Sequence, residues 1–207
     1  MRLFVAVELD ESVRSAAVEQ GRQLQKRIGN VLQAKWVSPH NMHLTVRFIG
    51  HVIDDRLPSV LAALESPLSM APFDIALGAC GVFPQQGPPR VFWIGLNEGL
   101  ASLRSMHEEF NRRLLPLGFE PEGRPFSAHL TLARIKDAPK ASSAVIREAI
   151  REVRPASTRC RLLEAVLFDS RTSPQGATYT ALLRIPLRPP ASSAPSAPSA
   201  PSAPSAP

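Results

Sequence analysis

The tripeptide His-Leu-Thr occurs twice in this chain, at His43–Thr45 and at His129–Thr131, and each copy opens a tetrad, "HLTV" and "HLTL". At this composition one copy is expected by chance roughly 0.02 times, so two copies at matching points of the chain mark a function. Residues two apart on a strand share a face, which puts His43 with Thr45 and His129 with Thr131, while Leu44, Val46, Leu130 and Leu132 turn to the core. An imidazole titrates near 6.5 when unperturbed, so two of them can hold one neutral and one protonated member near neutral pH. That pairing is what concerted general base and general acid catalysis needs, and each role is worth about 10²- to 10⁴-fold. The threonine hydroxyls suit donation to a bound oxyanion better than nucleophilic attack. A phosphoryl group between two histidines, held by two hydroxyls and an arginine, uses every part.

A metal site fits less well. His40 and His43 sit three apart, on opposite faces of an extended strand, and no carboxylate accompanies either His-Leu-Thr copy. His51 and His107 read as surface or boundary histidines without a role. The net charge is +6, with 20 Arg against four Lys. The planar guanidinium fork favours phosphate oxygens, so an anionic ligand is compatible with this balance, as is a plain preference for arginine.

The elements that position the tetrads follow from periodicity. Leu3–Leu9 reads as a buried strand, Asp10 as the N-cap of a long helix stopped at Gly29-Asn30, and "AKWV" and "MHLTVRFIG" as strands. "DDRLPSVLAALES" reads as a helix. "FDIALGACGVF" reads as a long strand bent or bulged at Gly78 and Gly81, followed by the loop Pro84–Pro89. The strand "VFWIGL", a helix with Leu100, Leu103, Met106, His107, Phe110 and Leu114 on one face, and the strand "AHLTLARI" come next. A helix in "KASSAVIREAIREV" and two closing strands, "CRLLEAVLFDS" and "ATYTALLRIPL", around "RTSPQG" complete the chain. Strand, long helix and His-Leu-Thr strand thus occur twice in the same order. Neither unit can bury its apolar face alone, so the two must pack together and bring His43 and His129 to one cleft.

Residues 1–188 suffice for one substantial core or two lobes packed as a unit. The Ser-Ala-Pro repeat of residues 189–207 has neither charge nor large apolar side chains and is expected to be disordered. Cys80 and Cys160 read as buried thiols of a reduced, cytoplasmic protein. The short apolar run at the N-terminus, broken by Glu8 and Asp10, is read as neither leader nor membrane span. Trp36 and Trp93 read as packing residues.

The two tetrads resemble the paired H-x-T-x motifs of the 2H phosphoesterase superfamily. "MRLFVAVEL", "KWVSPHNMHLTVRFIG", "GVFP", "PRVFWIGL", "GFEPEGRPFSAHLTLARI" and "GATYTALLRIPL" are similar to the RNA 2′,3′-cyclic phosphodiesterase, or 2′-5′ RNA ligase-like, family. The resemblance implies an α+β fold, bilobal and pseudo-twofold, with two antiparallel sheets lining a central cleft and helices outside. It implies metal-independent, cofactor-free hydrolysis of an RNA-terminal 2′,3′-cyclic phosphate to a 2′-phosphate, with reversible 2′-5′ ligation as the companion reaction. His43 would be the proton donor, His129 the acceptor, and Thr45 and Thr131 the holders of the non-bridging oxygens. The motifs themselves are symmetric and do not say which histidine is which.

Arg134 matches "HLTLAR" and is the first candidate phosphate clamp, although strand parity turns it away from His129 unless a bulge intervenes. Arg47 shares a face with His43 in an unbroken strand and is the alternative. Arg90 and Phe83 are weaker candidates, Phe83 as a base-stacking ring. The expected partners are RNA ends, tRNA-like fragments among them, or nucleotides, bound by a monomer without a membrane. Two other readings stay open: a non-catalytic RNA-end or nucleotide-binding module, and a related enzyme for another cyclic phosphate or a 2′-5′ oligonucleotide.

Overall fold

In the computed structural model, which describes residues 1–29, 32–137, 143–174 and 176–189, ten strands make a single sheet. Their ranges are β1 Arg2–Glu8, β2 Gln33–Trp36, β3 His43–His51, β4 Leu68–Ser69, β5 Phe73–Phe83, β6 Val91–Glu98, β7 Leu130–Asp137, β8 Arg159–Leu162, β9 Glu164–Ser173 and β10 Gly176–Arg188. The order is β4-β10-β9-β1-β3-β7-β6-β5-β8, with β2 also on β7, and every pairing is antiparallel except β10 with β4. The Ser-Ala-Pro tail from residue 190 lies outside the described residues.

The two expected sheets are therefore two lobes of one sheet, and the seam between them is a single residue pair, Leu44 with Leu130. These are the middle residues of the two His-Leu-Thr copies, and both are fully buried. Lobe one holds β4, β10, β9, β1 and β3; lobe two holds β7, β6, β5, β8 and β2.

Four helices, α1 Glu11–Ile28, α2 Leu57–Leu64, α3 Leu100–Leu114 and α4 Ser143–Arg151, cover one face. Asp10 caps α1 by accepting from Val13 N at 2.8 Å, and Gly29 closes it at φ 57°, a conformation that favours glycine. The coverage is crossed. Although α1 follows β1 of lobe one, it packs behind β5, β7 and β8; α3 follows β6 of lobe two and packs behind β3. Exchanging helices fuses the two lobes onto one continuous core, which includes Leu44, Leu130, Leu24, Phe92 and Phe110.

One closing run differs from its sequence reading. "CRLLEAVLFDS" is not one strand but β8 and β9, which lie at distant positions in the sheet, and the chain crosses between lobes at Leu163, 59% exposed. Contiguous apolar residues gave no sign of this break, because a change of strand partner leaves alternation almost intact. Gly78 does fall within a register shift of β5, but Gly81 is paired in register with Trp93. A Cβ there would stand 2.2 Å from the indole, so Gly81 makes room for a ring instead of bending the strand.

The seam dictates a stability contrast. Leu130→Ala removes a fully buried side chain from the pair that links the lobes and should cost ~2–5 kcal/mol in urea unfolding. Leu163→Ala, at the exposed crossing, should stay within about 0.5 kcal/mol of the parent.

Candidate active site

Antiparallel pairing of Leu44 with Leu130 places His43 opposite Thr131 and Thr45 opposite His129, all four on the face away from the helices. The four polar residues form a square whose diagonals are His43–His129 and Thr45–Thr131. Diagonal cross-strand neighbours lie roughly 7–8 Å apart, room for a phosphoryl group between the imidazoles.

Both imidazoles are held alike. His43 Nδ1 bonds the carbonyl of Asn41 at 2.8 Å, and His129 Nδ1 bonds that of Ser127 at 2.7 Å, each two residues back. A carbonyl only accepts, so Nδ1 carries the hydrogen in both rings and Nε2 is left to exchange protons. Aromatic rings fix the planes. Phe4 lies 4.9 Å and Tyr179 5.0 Å from His43, while Phe83 meets His129 edge-on at 5.0 Å with Trp93 behind at 6.4 Å. Asn41 also donates to Ala177 O at 2.8 Å, tying the carbonyl that orients His43 to β10.

Burial pushes the His43 pKa down, and His129 adds a smaller effect of the same sign; the bond to Asn41 and the charge of Glu8 pull it back up. Glu8 is paired with His43 across β1 and β3, and its carboxylate also takes Arg184, which Glu164 shares. A recess of about 190 Å³ beside His43 is lined by Glu8, Arg14, Asn41, Phe168 and Tyr179 among others.

The arginines are sorted by two β-bulges. In β3 the register with β1 skips Val46, and in β7 the register with β6 skips Leu132, the fourth residue of each tetrad. A bulge turns two successive side chains to one side and inverts the parity beyond it. Arg134, opposite Val91 and Lys35, therefore comes onto the face of Thr131 and is exposed. Arg47, expected beside His43, instead pairs with Val5 on the helix side and is 3% exposed. Its guanidinium donates to the carbonyls of Phe48, Phe119 and Glu120, which removes it from the site. Phe48 takes the position in lobe one that Arg134 takes in lobe two.

Phe83 stands at the site. Arg90 is exposed at the end of the loop, and alternation puts it on the face opposite Trp93; its backbone bonds Phe83 and Ile135. Trp36 packs against Phe92 as expected, whereas Trp93 lines the cleft face.

His107 is likewise not a surface residue. It is buried, its Nδ1 donates to the carbonyl of Val46 at 2.7 Å, and its Nε2 accepts from Asn111 at 2.9 Å. It thus ties α3 to the bulged residue beside Thr45. In lobe two Val37 N does the same for Leu132 O, at 2.8 Å. Tyr179, the chain's single tyrosine, and Phe4 were not singled out by sequence, since in a strand they look like ordinary packing residues. Among the described residues no group of three or more His, Cys, Asp or Glu could hold a metal ion, and no helix is long and apolar enough to cross a membrane. Cys80 and Cys160 are free and buried, and burial pushes the Cys80 thiol up to about 12.

Comparison with known proteins returns the same division in two. The family model described as LigT like phosphoesterase matches residues 13–93 and again 94–179. An RNA 2′,3′-cyclic phosphodiesterase of Archaeoglobus fulgidus is 38% identical over 136 residues, 66% of this chain and 73% of that protein. One of Thermus thermophilus is 33% identical over 202 residues, 91% of each chain. The crystal structure of TT0787 of Thermus thermophilus superposes with a TM-score of 0.74 at 32% identity, covering 91% of this chain and 99% of that one. Escherichia coli LigT complexed with 3′-AMP shares the fold, with a TM-score of 0.71 at 22% identity, covering 90% and 97%.

The burial of His43 has a direct spectroscopic consequence. Its imidazole should titrate below 6.5 by NMR in the free protein and move upward when inorganic phosphate is added, because an anion in the square favours the charged ring. A free-protein midpoint above 6.5 would contradict the burial argument.

Proposed function

The chain belongs to the LigT-like phosphoesterase family, and from that premise we propose that it hydrolyses RNA-terminal 2′,3′-cyclic phosphates to 2′-phosphates by two-histidine acid–base catalysis. The observation that carries this reading is the square. In-line displacement at phosphorus needs the entering and leaving oxygens on opposite sides, and the histidine diagonal offers a proton-transfer group on each. The threonine diagonal crosses it, placing a hydroxyl donor at each non-bridging oxygen.

His129 Nε2 takes the proton of the attacking water, the oxygen bonds to phosphorus, the bond from phosphorus to O3′ breaks, and His43 Nε2 supplies the proton to O3′. As donor His43 must be cationic in the complex. Burial opposes that form in the free site, while the diester's negative charge and Glu8 favour it. A depressed pKa also makes the bound cation a readier donor. Arg134, exposed on the same face, is the clamp for a non-bridging oxygen, and Phe83 is a ring against which a base can lie. With the 5′-hydroxyl of another RNA in place of water, the same transfers form the bond from phosphorus to O5′ as that to O3′ breaks, a 2′-5′ ligation.

Residues 1–188 act as one catalytic unit, and the site draws both histidines from one chain, so we assign a monomer. The two free, buried thiols fit a reducing compartment, and the cytoplasm is the location we assign.

The reaction is tested with a 2′,3′-cyclic nucleotide in the presence of EDTA, with the product position resolved. The expected result is a 2′-phosphate, and loss of at least about 10²-fold in kcat for His43→Ala and for His129→Ala. Unchanged turnover in the double variant would exclude the mechanism. Tight binding without turnover by the wild-type protein would make it a binding module instead.

A further inference from the structure

Past the square, the cleft face of lobe two continues along β7. Beyond the Leu132 bulge that face carries Arg134 and then Lys136, and on β2 Lys35 stands opposite Arg134 in register. Arg134 follows Thr131 by three residues, at most ~10 Å, and Lys136 lies a further ~6–7 Å out, a step of the order of one nucleotide. The three cations therefore form a line that starts at the phosphoryl site and leaves it in one direction.

A groove of roughly 620 Å³ lies at the sheet edge near this end, lined by Lys35, Lys136 and Pro174, the last from the turn between β9 and β10, and also by Gln25, Ile28 and Gly29 at the C-terminal end of α1. That volume lies within the range of small-ligand sites and accommodates a nucleotide. The hairpin runs close over Lys35, whose Nζ lies 3.8 Å from where a Cβ on Gly176 would stand. Among the described residues lobe one offers nothing comparable. Its face beside His43 carries Phe4, Phe48, Phe168 and Tyr179, Arg184 there is taken by Glu8 and Glu164, and Arg14 at the recess is taken by Glu11 and the carbonyl of Leu9.

We infer that Lys35 and Lys136, continuing outward from the Arg134 clamp, are a track for the backbone phosphates of an RNA strand whose 3′ end occupies the square. This rests on the proposed function and narrows its substrate. A terminal 2′,3′-cyclic phosphate leaves only the 5′ side of its nucleotide for the chain to continue, so the strand departs in one direction, and the cations mark which. The preferred substrate is then an oligonucleotide end and not a cyclic mononucleotide.

The test compares kcat/KM for a 2′,3′-cyclic mononucleotide with that for a trinucleotide bearing the same terminus. The wild-type protein should favour the trinucleotide by at least about tenfold. Lys35→Ala/Lys136→Ala should bring that ratio close to one, and Lys35→Arg/Lys136→Arg, which keeps the charge, should retain it. The salt dependence of trinucleotide binding should flatten in the alanine variant by about 1.4 in log–log slope, at ~0.7 for each phosphate that is no longer neutralised. A ratio and salt slope unaltered by the alanine substitutions would overturn the track, as would equal use of the two substrates by the wild-type protein. Turnover of neither substrate by the wild-type protein would instead overturn the proposed function.

Discussion

Everything at the cleft depends on one cross-strand pair. Leu44 and Leu130 join the lobes, and because each is the middle residue of a His-Leu-Thr unit, their antiparallel register alone decides which polar residue faces which. A slip of one residue would turn one of the two strands over, sending its histidine to the helix side among the core leucines and bringing apolar residues to the cleft. Both partners are fully buried, and the crossed helices press on the seam from behind, α1 under β7 and α3 under β3. Catalytic geometry and the fusion of the lobes are therefore one structural fact. A protein that lost the pair would lose the square and the continuous core together.

The bulges are the second determinant, and they act oppositely on two arginines. The same extra residue after each His-Leu-Thr drives Arg47 into the interior, where three backbone carbonyls accept from its two terminal nitrogens, and brings Arg134 out onto the cleft. Bulges of this kind re-aim side chains at functional sites. Here each bulged carbonyl has its own donor, His107 of α3 for Val46 and Val37, just past β2, for Leu132, so each distortion is held in place. The pseudo-symmetry is thus close in backbone and broken in chemistry, with Phe48 where the other lobe has Arg134. The contrast lies just past the bulges, where lobe one presents a ring and lobe two a cation.

Much of this was legible in the residues. Two tetrads at matching places in a repeated strand–helix–strand order led to both histidines and both threonines on one face, and the Asp10 cap and the Gly29 stop lay where local chemistry puts them. What was hidden has a common cause. Parity counting assumes an unbroken ladder, so the inward turn of Arg47 was invisible and the outward turn of Arg134 could be posed only as a condition. His107 and Tyr179 owe their places to tertiary partners, Val46 and His43, that lie far away in sequence. The crossing at Leu163 was masked because an apolar run reads alike whether its strands are neighbours or sit in different lobes.

The central claim is that two histidines on one diagonal divide the proton transfers, one giving and one taking. The pH dependence of kcat/KM on a 2′,3′-cyclic substrate tests it most directly, because acid and base govern opposite limbs of a bell. The wild-type protein should give a bell, His43→Gln should lose the alkaline limb and keep the acid one, and His129→Gln should do the reverse. A bell that keeps both limbs in either variant would contradict the account.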